Sequence, residues 1–194
     1  MSLKEQIYSI LVVSASAQFN QTLPEVFPTT EFLPLNVVAN VSAAKRAVLE
    51  RDFDFVIINS PLPDDVGIGF AIDTSESRNT VVLFVTKAEQ YPELYQKLAE
   101  HGVFLLQKPM PKSLLQIATE WLISARERVR KTERKTLSIE EKMNEIRLVN
   151  RAKWLLISEV KMTEPDAHRY IEKQAMDRCA SKREIAEEII KTYS

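Results

Sequence analysis

Between residues 113 and 160 the chain has neither glycine nor proline, and its apolar or small residues recur in alternating steps of three and four. The series is Leu115, Ala118, Leu122, Ala125 and Val129, then Ile139, Met143 and Ile146, with polar Thr132 and Thr136 between. A spacing averaging 3.5 residues is that of a coiled-coil seam, narrower than the apolar face of a core helix. At about 1.5 Å per residue, such a helix runs on the order of 70 Å, too long to bury inside one small domain. The spacing therefore predicts a stalk over residues 113–145 with a folded domain at each end. It pairs with a second copy of itself through Leu122, Val129, Ile139, Met143 and Ile146. The competing expectation is two or three separate helices, broken near Thr136, Leu137 and Ser138, where Ser138 followed by Ile139, Glu140 and Glu141 gives a weak capping signal.

A chain of 194 residues has room for one large domain or two small ones. No charged-then-apolar leader and no long apolar run is visible, so neither export nor membrane insertion is expected and a cytoplasmic location is the default. The single Cys179 excludes an internal disulfide framework and a cysteine-based zinc site. Net charge is −1, but the charges are uneven. Residues 1–125 carry 9 basic and 14 acidic side chains, residues 126–135 carry 6 and 2, and residues 136–194 carry 11 of each. Only the stalk has a basic footprint in bulk, so a nucleic-acid surface nearer the C-terminus must come from charge placement.

In the N-terminal half, Ile7 to Val13 is a short apolar run rich in β-branched residues, as expected of a buried strand. Leu33–Val38 is a weaker second run, Phe55–Ile58 a third, Val81–Val85 a fourth and Val103–Leu106 a fifth. Helical spacing appears over Ser42–Arg51 and Tyr91–Glu100, the latter stopped by Gly102. A helix after the first strand has to contain Pro24, which weakens that assignment, and residues 66–78 show no clear pattern. Strands apolar enough to be covered on both faces and alternating with helices predict a parallel α/β sandwich.

This half resembles the receiver domain of two-component response regulators, over about residues 5–125. The resemblance is carried by Ile10-Leu11-Val12-Val13, by Val56-Ile57-Ile58-Asn59-Ser60-Pro61-Leu62-Pro63, by Thr86 and by Lys108-Pro109. It implies a flavodoxin-like, doubly wound parallel sheet across residues 1–125, with the strand ends gathered around one cleft at the carboxyl edge. Receiver chemistry needs an acidic pair to hold Mg²⁺, a hard cation that takes oxygen ligands, and an aspartate to accept the phosphoryl group. At those positions this chain has Ser14 and Ala15, and Asn59. Thr86 and Lys108 remain, but without metal and acceptor they have nothing to stabilise. The resemblance therefore implies a pseudo-receiver that is not phosphorylated by the usual route. Asp64 and Asp65 lie five and six residues past Asn59, too far to put a carboxylate in the cleft, and read as a solvated turn. Lys108 precedes a proline where receivers commonly have a cis peptide.

After the stalk, Thr163-Glu164-Pro165-Asp166 is a good helix start: an N-cap hydroxyl, proline in the first turn and acids that complement the helix dipole. Ala167, Tyr170, Ile171, Gln174 and Ala175 share one face of the helix that follows. Ser181-Lys182-Arg183-Glu184 forms a capping box before a last helix that buries Ile185, Ala186, Ile189 and Ile190. With Leu148, Ala152, Leu155 and Leu156 these helices make a three-helix bundle. The residues Arg151-Ala152-Lys153, Thr163-Glu164, Ala167, Ala175-Met176-Asp177-Arg178 and Ile185-Ala186 resemble the ANTAR domain, the RNA-binding module of transcription antitermination regulators. The resemblance spans roughly residues 139–191 of an all-α domain placed at 139–194. It departs at His168, where the family usually has a larger aromatic, at Trp154, where a small residue is common, and at Cys179, in a polar turn.

The ANTAR resemblance implies a dimer that binds a nascent-RNA hairpin and so prevents a competing terminator stem. Loops are read by stacking and by hydrogen bonds to base edges. The side chains expected to do this are Arg169, Lys173 and Met176 with His168 beside them, Arg178, Lys182 and Arg183 at the next turn, and Arg151 and Lys153 on the neighbouring helix. The plain structural expectations are that Arg169 and Lys173 are solvated, that Lys182 and Arg183 pair with Glu187 and Glu188, that Asp177 organises the turn and that Met176 is core. No phosphate loop, catalytic triad or metal cluster is legible, so neither an enzyme nor a cofactor is expected. Either a regulatory protein or small ligand replaces phosphorylation as the control, or the pseudo-receiver pairs constitutively; both expectations stand equally. The rival readings are a DNA-binding factor whose recognition helix is Ser181–Tyr193, and a pure protein-interaction scaffold.

Overall fold

The computed structural model describes residues 6–77 and 79–193. Thus the first five residues, Arg78 at the end of the unpatterned stretch, and Ser194 lie outside the described residues. In chain order the elements are β1 (Tyr8–Val13), α1 (Ala17–Val26), β2 (Phe32–Val38), α2 (Val41–Glu50), β3 (Phe55–Asn59), α3 (Ile68–Ser77), β4 (Val81–Lys87), α4 (Tyr91–Ala99), β5 (Phe104–Lys108), α5 (Lys112–Val160), α6 (Glu164–Asp177) and α7 (Lys182–Tyr193). The chain divides into two compact units, one ending at Arg130 and the next beginning at Lys131. No helix among the described residues is long and apolar enough to cross a membrane.

In the first unit all strand pairs are parallel, in the order β2-β1-β3-β4-β5. This is the flavodoxin-like order, and strands apolar on both faces suit a parallel sheet with helices covering each side. Tyr8, Ile10 and Val12, with Phe55, Ile57, Leu83 and Val85, face the layer containing α1 and the start of α5. Leu11, Val13, Val56, Ile58, Val82 and Phe84 face α2, α3 and α4. Pro24 does not prevent α1. It lies inside the helix, whose N-cap Ser16 accepts a hydrogen bond from the Phe19 N–H and whose Leu23 and Val26 are buried. Burial of the helix face outweighs the propensity cost of proline. Residues 68–77 are helical although their pattern is weak, because Phe70, Ala71 and Thr74 are buried against the sheet.

α5 is continuous through Thr136–Ser138, without the break of the alternative reading. Its first turns nevertheless differ from the seam expectation. Leu115, Ala118 and Leu122 are each at most 2% exposed in the core of the first unit. Leu122 is therefore not a stalk-seam residue: the sheet has taken the partner role that a second helix was expected to play. Val129 is half-buried, whereas Ile139, Met143 and Ile146 are exposed.

Beyond Leu122 a polar network holds α5 to the amino edge of the sheet. Asp54 Oδ1 accepts from Arg126 Nε at 2.9 Å and Arg130 Nη2 at 2.8 Å. Its Oδ2 accepts from the Ser9 N–H at 2.9 Å and the Ser9 hydroxyl at 3.2 Å. The Arg130 guanidinium lies 4.9 Å from the Tyr8 ring centre and donates to Glu127, which also accepts from the Tyr8 hydroxyl. Burial, then the bond to Glu127, pushes the Tyr8 hydroxyl up to about 12.

In the second unit the end of α5 packs with α6 and α7 around Ala152, Leu156, Ala167, Ile171, Ala175, Ile185, Ala186 and Ile189. Thr163 caps α6, its hydroxyl oxygen accepting from the Asp166 N–H. Ser181 and Glu184 form the reciprocal capping box: Glu184 N–H donates to Ser181 Oγ at 3.2 Å and Ser181 N–H to Glu184 Oε2 at 2.7 Å. Tyr170 departs from the expected buried face and is 40% exposed. The stripe Ala167, Ile171, Ala175 steps by four, so it is narrow and leaves Tyr170 at its border.

Candidate functional site

The carboxyl edge of the first unit's sheet brings four of the five expected cleft residues into hydrogen-bonded positions. Ser14, directly after β1, and Asn59, the last residue of β3, are 2% and 3% exposed and meet directly, the Asn59 amide donating to Ser14 Oγ at 3.0 Å. Ser14 Oγ also accepts from the Ser16 N–H at 3.2 Å. Lys108 ends β5, precedes a cis Pro109, and donates to the Ser60 carbonyl at 2.6 Å. Burial, then Lys87, lowers its pKa. Thr86 is fully buried and donates to Gln90 Oε1 at 3.2 Å. Ala15 is exposed and brings no donor. A cleft of about 330 Å³ opens here, lined by Ser16, Phe19, Thr22, Asn59, Lys108 and Met110 among others.

Mg²⁺ needs several hard, preferably anionic oxygens. At the three positions where carboxylates are expected, the cleft offers one hydroxyl already bonded twice and one amide oxygen, Asn59 Oδ1, that accepts nothing; the neighbouring Ser16, Gln18 and Thr22 add only neutral oxygens. This donor set does not fit the ion, and an amide cannot form an acyl phosphate. The two nearby carboxylates are engaged elsewhere. Asp64 accepts from the N–H groups of Val41 and Ser42 at 3.0 and 2.9 Å, at the start of α2. Those bonds, Ser42 first and then Val41, bring its pKa down to about 2. Asp65 accepts from the Gly67 N–H at 2.6 Å. Asp64 is thus a helix-end anchor rather than a free turn residue. Its depressed pKa stabilises the fold above the ordinary carboxylate pKa near 4, and the contribution is lost as pH falls through about 2. An NMR titration is expected to give Asp64 a midpoint near 2, and Ser42→Pro to move it upward by removing the nearest donor.

In the second unit the expected RNA-contact residues fall into two groups. Lys153, His168 and Lys182 line one groove of about 400 Å³ together with Lys142, Glu145, Ile146, Val149 and Asn150. Lys153 pairs with Glu164 at 3.0 Å, Lys182 with Glu172 at 2.6 Å, and His168 Nε2 approaches Glu172 at 3.4 Å. Lys182, then His168, lowers the Glu172 pKa. Arg178 makes a two-pronged contact with Glu188, and Arg183 pairs with Glu187 at 2.8 Å, as its helix spacing suggested. The other group lies outside the groove. The side chains of Arg151, Arg169 and Lys173 are exposed and carry no ion pair or hydrogen bond among the described residues. Met176 is 78% exposed, not core.

The ANTAR domain family matches residues 138–190. The transcriptional regulatory protein PdtaR of Mycobacterium tuberculosis, in two strains, is 31% identical over 140 residues, covering 72% of this chain and 68% of that protein. The chain belongs to the ANTAR-domain response regulators. Solved structures agree on the fold of the first unit. A signal receiver domain from an HD domain-containing protein of Pseudomonas fluorescens Pf-5 matches 68% of this chain and 96% of its own length, at 19% identity and TM-score 0.57. The chemotaxis response regulator CheY4 of Vibrio cholerae matches 60% and 99%, at 21% identity and TM-score 0.52.

In this ANTAR-domain regulator the receiver-like unit keeps the sheet and the cleft while its donor set lacks carboxylates. The ANTAR bundle contributes a groove that the sequence alone does not group: Asn150 and Lys142 join Lys153, His168 and Lys182 there. Only the packing of α6 and α7 against α5 brings these positions, up to 40 residues apart, to one groove.

Proposed function

We propose that this antitermination-type response regulator binds RNA hairpins as a homodimer, in the cytoplasm, and is controlled without aspartyl phosphorylation. The observation that carries the RNA reading is the face of α6. Arg169 and Lys173 are exposed and unpaired there, beside exposed His168 and Met176. Unpaired guanidinium and ammonium groups meet phosphates and base edges at little desolvation cost, and a thioether can lie against an unstacked base. Duplex DNA is disfavoured because α7 exposes Glu184, Glu187 and Glu188. The dimer forms through Ile139, Met143 and Ile146, with Val129 at its margin. A regulatory protein or small ligand then masks or releases the RNA-binding unit.

The test is a titration of a pool of short RNA hairpins, against matched duplex DNA, at several stated salt concentrations. The wild type is expected to select hairpins. Arg169→Ala/Lys173→Ala is expected to bind about tenfold or more weakly, with a salt slope reduced by about 2. Duplex preference, or an unchanged double variant, contradicts the reading.

The phosphorylation claim has its own test. Wild type and Asn59→Asp are expected to take up no label from a small acyl-phosphate donor with Mg²⁺. Ser14→Asp/Ala15→Asp/Asn59→Asp is expected to become labelled, because it supplies both metal ligands and acceptor. Labelling of the wild type refutes phosphorylation independence.

A further inference from the structure

Trp154 is 71% exposed, although Ala152 and Leu156 on either side of it are buried in the ANTAR bundle. It lies one turn after Asn150 on α5, so the two side chains share a face. Neither side chain makes a hydrogen bond or ring contact among the described residues. The face is concave: Trp154 and Asn150 line a space of about 520 Å³ with Lys153, Met162 and Thr163, among others. Asn150 and Lys153 also form the wall of the neighbouring groove of about 400 Å³, which holds Lys142, His168 and Lys182. An indole thus stands at one end of a surface whose other end presents Lys142, with Glu164 and Glu145 also in the two linings and Lys182 held by Glu172.

These groups match one occupant. An indole face stacks on any base, and an unpaired base in a loop leaves its face and edges available. A carboxamide sets a donor and an acceptor side by side, as the edge of a base does. Lysines beside such a pocket meet the flanking phosphates. We infer that Trp154 and Asn150 capture one unpaired base of the RNA hairpin, Trp154 by stacking and Asn150 through the base edge, with Lys142 on the adjoining phosphate. The inference rests on the RNA-binding reading above. A second copy of this chain fits the surface less well. Continued beyond Ile146, the seam spacing reaches Asn150 and Lys153, and would press an amide and an ammonium into an apolar stripe.

The experiment uses the full-length chain carrying Trp121→Phe, which leaves Trp154 as the single tryptophan. The hairpin selected in the titration above is added while Trp154 emission and gel mobility are followed together. A fully paired RNA of the same stem serves as the control. Emission is expected to be quenched by the hairpin, saturating with the mobility shift, and to be unchanged by the paired stem. Trp154→Ala is expected to weaken hairpin binding roughly tenfold to a hundredfold, Trp154→Phe by much less, and neither to alter the circular dichroism spectrum. Hairpin binding with unchanged emission, or with full affinity in Trp154→Ala, overturns base capture and leaves the RNA reading standing. Failure of the wild type to bind any hairpin removes both. Emission that responds to protein concentration and not to RNA assigns the indole to an interface between copies, which also overturns the proposal.

Discussion

Asp54→Ala is expected to destabilise the receiver-like unit by about 3–5 kcal/mol, the usual cost of removing one partner from a buried ion group. The Asp54, Arg126 and Arg130 side chains are only 13%, 14% and 14% exposed, so both guanidinium groups lose their carboxylate in a place that water reaches poorly. The Ser9 N–H loses its acceptor too. Urea unfolding followed by circular dichroism is the measurement, and a change under about 1 kcal/mol contradicts the assignment, since exposed pairs contribute that little. Asp54→Leu/Arg126→Met/Arg130→Met is expected to recover most of the loss, because it removes the uncompensated charges together with their partner. The pH dependence has a definite sign. Burial pushes the Asp54 carboxyl up, but the Ser9 N–H and the two arginines outweigh it and hold its pKa below the ordinary value. Its contribution is therefore full above the unfolded carboxylate pKa of about 3.9 and disappears as pH falls through the lower folded value. The gap between wild type and Asp54→Ala is expected to close on acidification below pH 4.

Ile139→Glu/Ile146→Glu is expected to turn the proposed dimer into a monomer, raising its dissociation constant by about a thousandfold or more. Ile139, Met143 and Ile146 are 57%, 49% and 59% exposed in a single chain. Burying an aliphatic side chain of this size contributes about 1.5–3 kcal/mol, whereas facing glutamates repel. A thousandfold corresponds to about 4.1 kcal/mol, well within what two such positions on each copy supply. Sedimentation at several concentrations reads the outcome. A monomeric wild type, or a dimeric variant, removes the seam from the proposal. The same variant separates the seam from the fold, because neither isoleucine belongs to the core of either unit.

Leu122→Glu has a different expected result, unfolding of the first unit rather than dissociation, and the contrast shows where sequence reading stops. Leu115, Ala118, Leu122 and Ile139, Met143, Ile146 obey one 3–4 rhythm. The rhythm identifies an apolar stripe on a helix but carries no information on what covers it. Only the packed structure shows that the sheet covers the first set and leaves the second exposed. α1 is a related case: Pro24 lowers local helix propensity, and burial of Leu23 and Val26 overrides it.

Determined by the sequence itself are the features whose physics is local: the buried strands, the capping at Thr163 and Ser181, the glycine-free run of α5, and the uncharged side chains of Ser14, Ala15 and Asn59. Each rests on side-chain chemistry or on neighbours within a few residues. Tertiary structure alone decided that Asp54 meets arginines 72 and 76 positions away, that Asp64 anchors the start of α2 instead of standing in a solvated turn, and that Asn150 shares a groove with His168 of α6. Such contacts depend on loop closure and on which apolar face finds which partner. Those choices are settled by the burial of the whole core, which no short window of sequence contains.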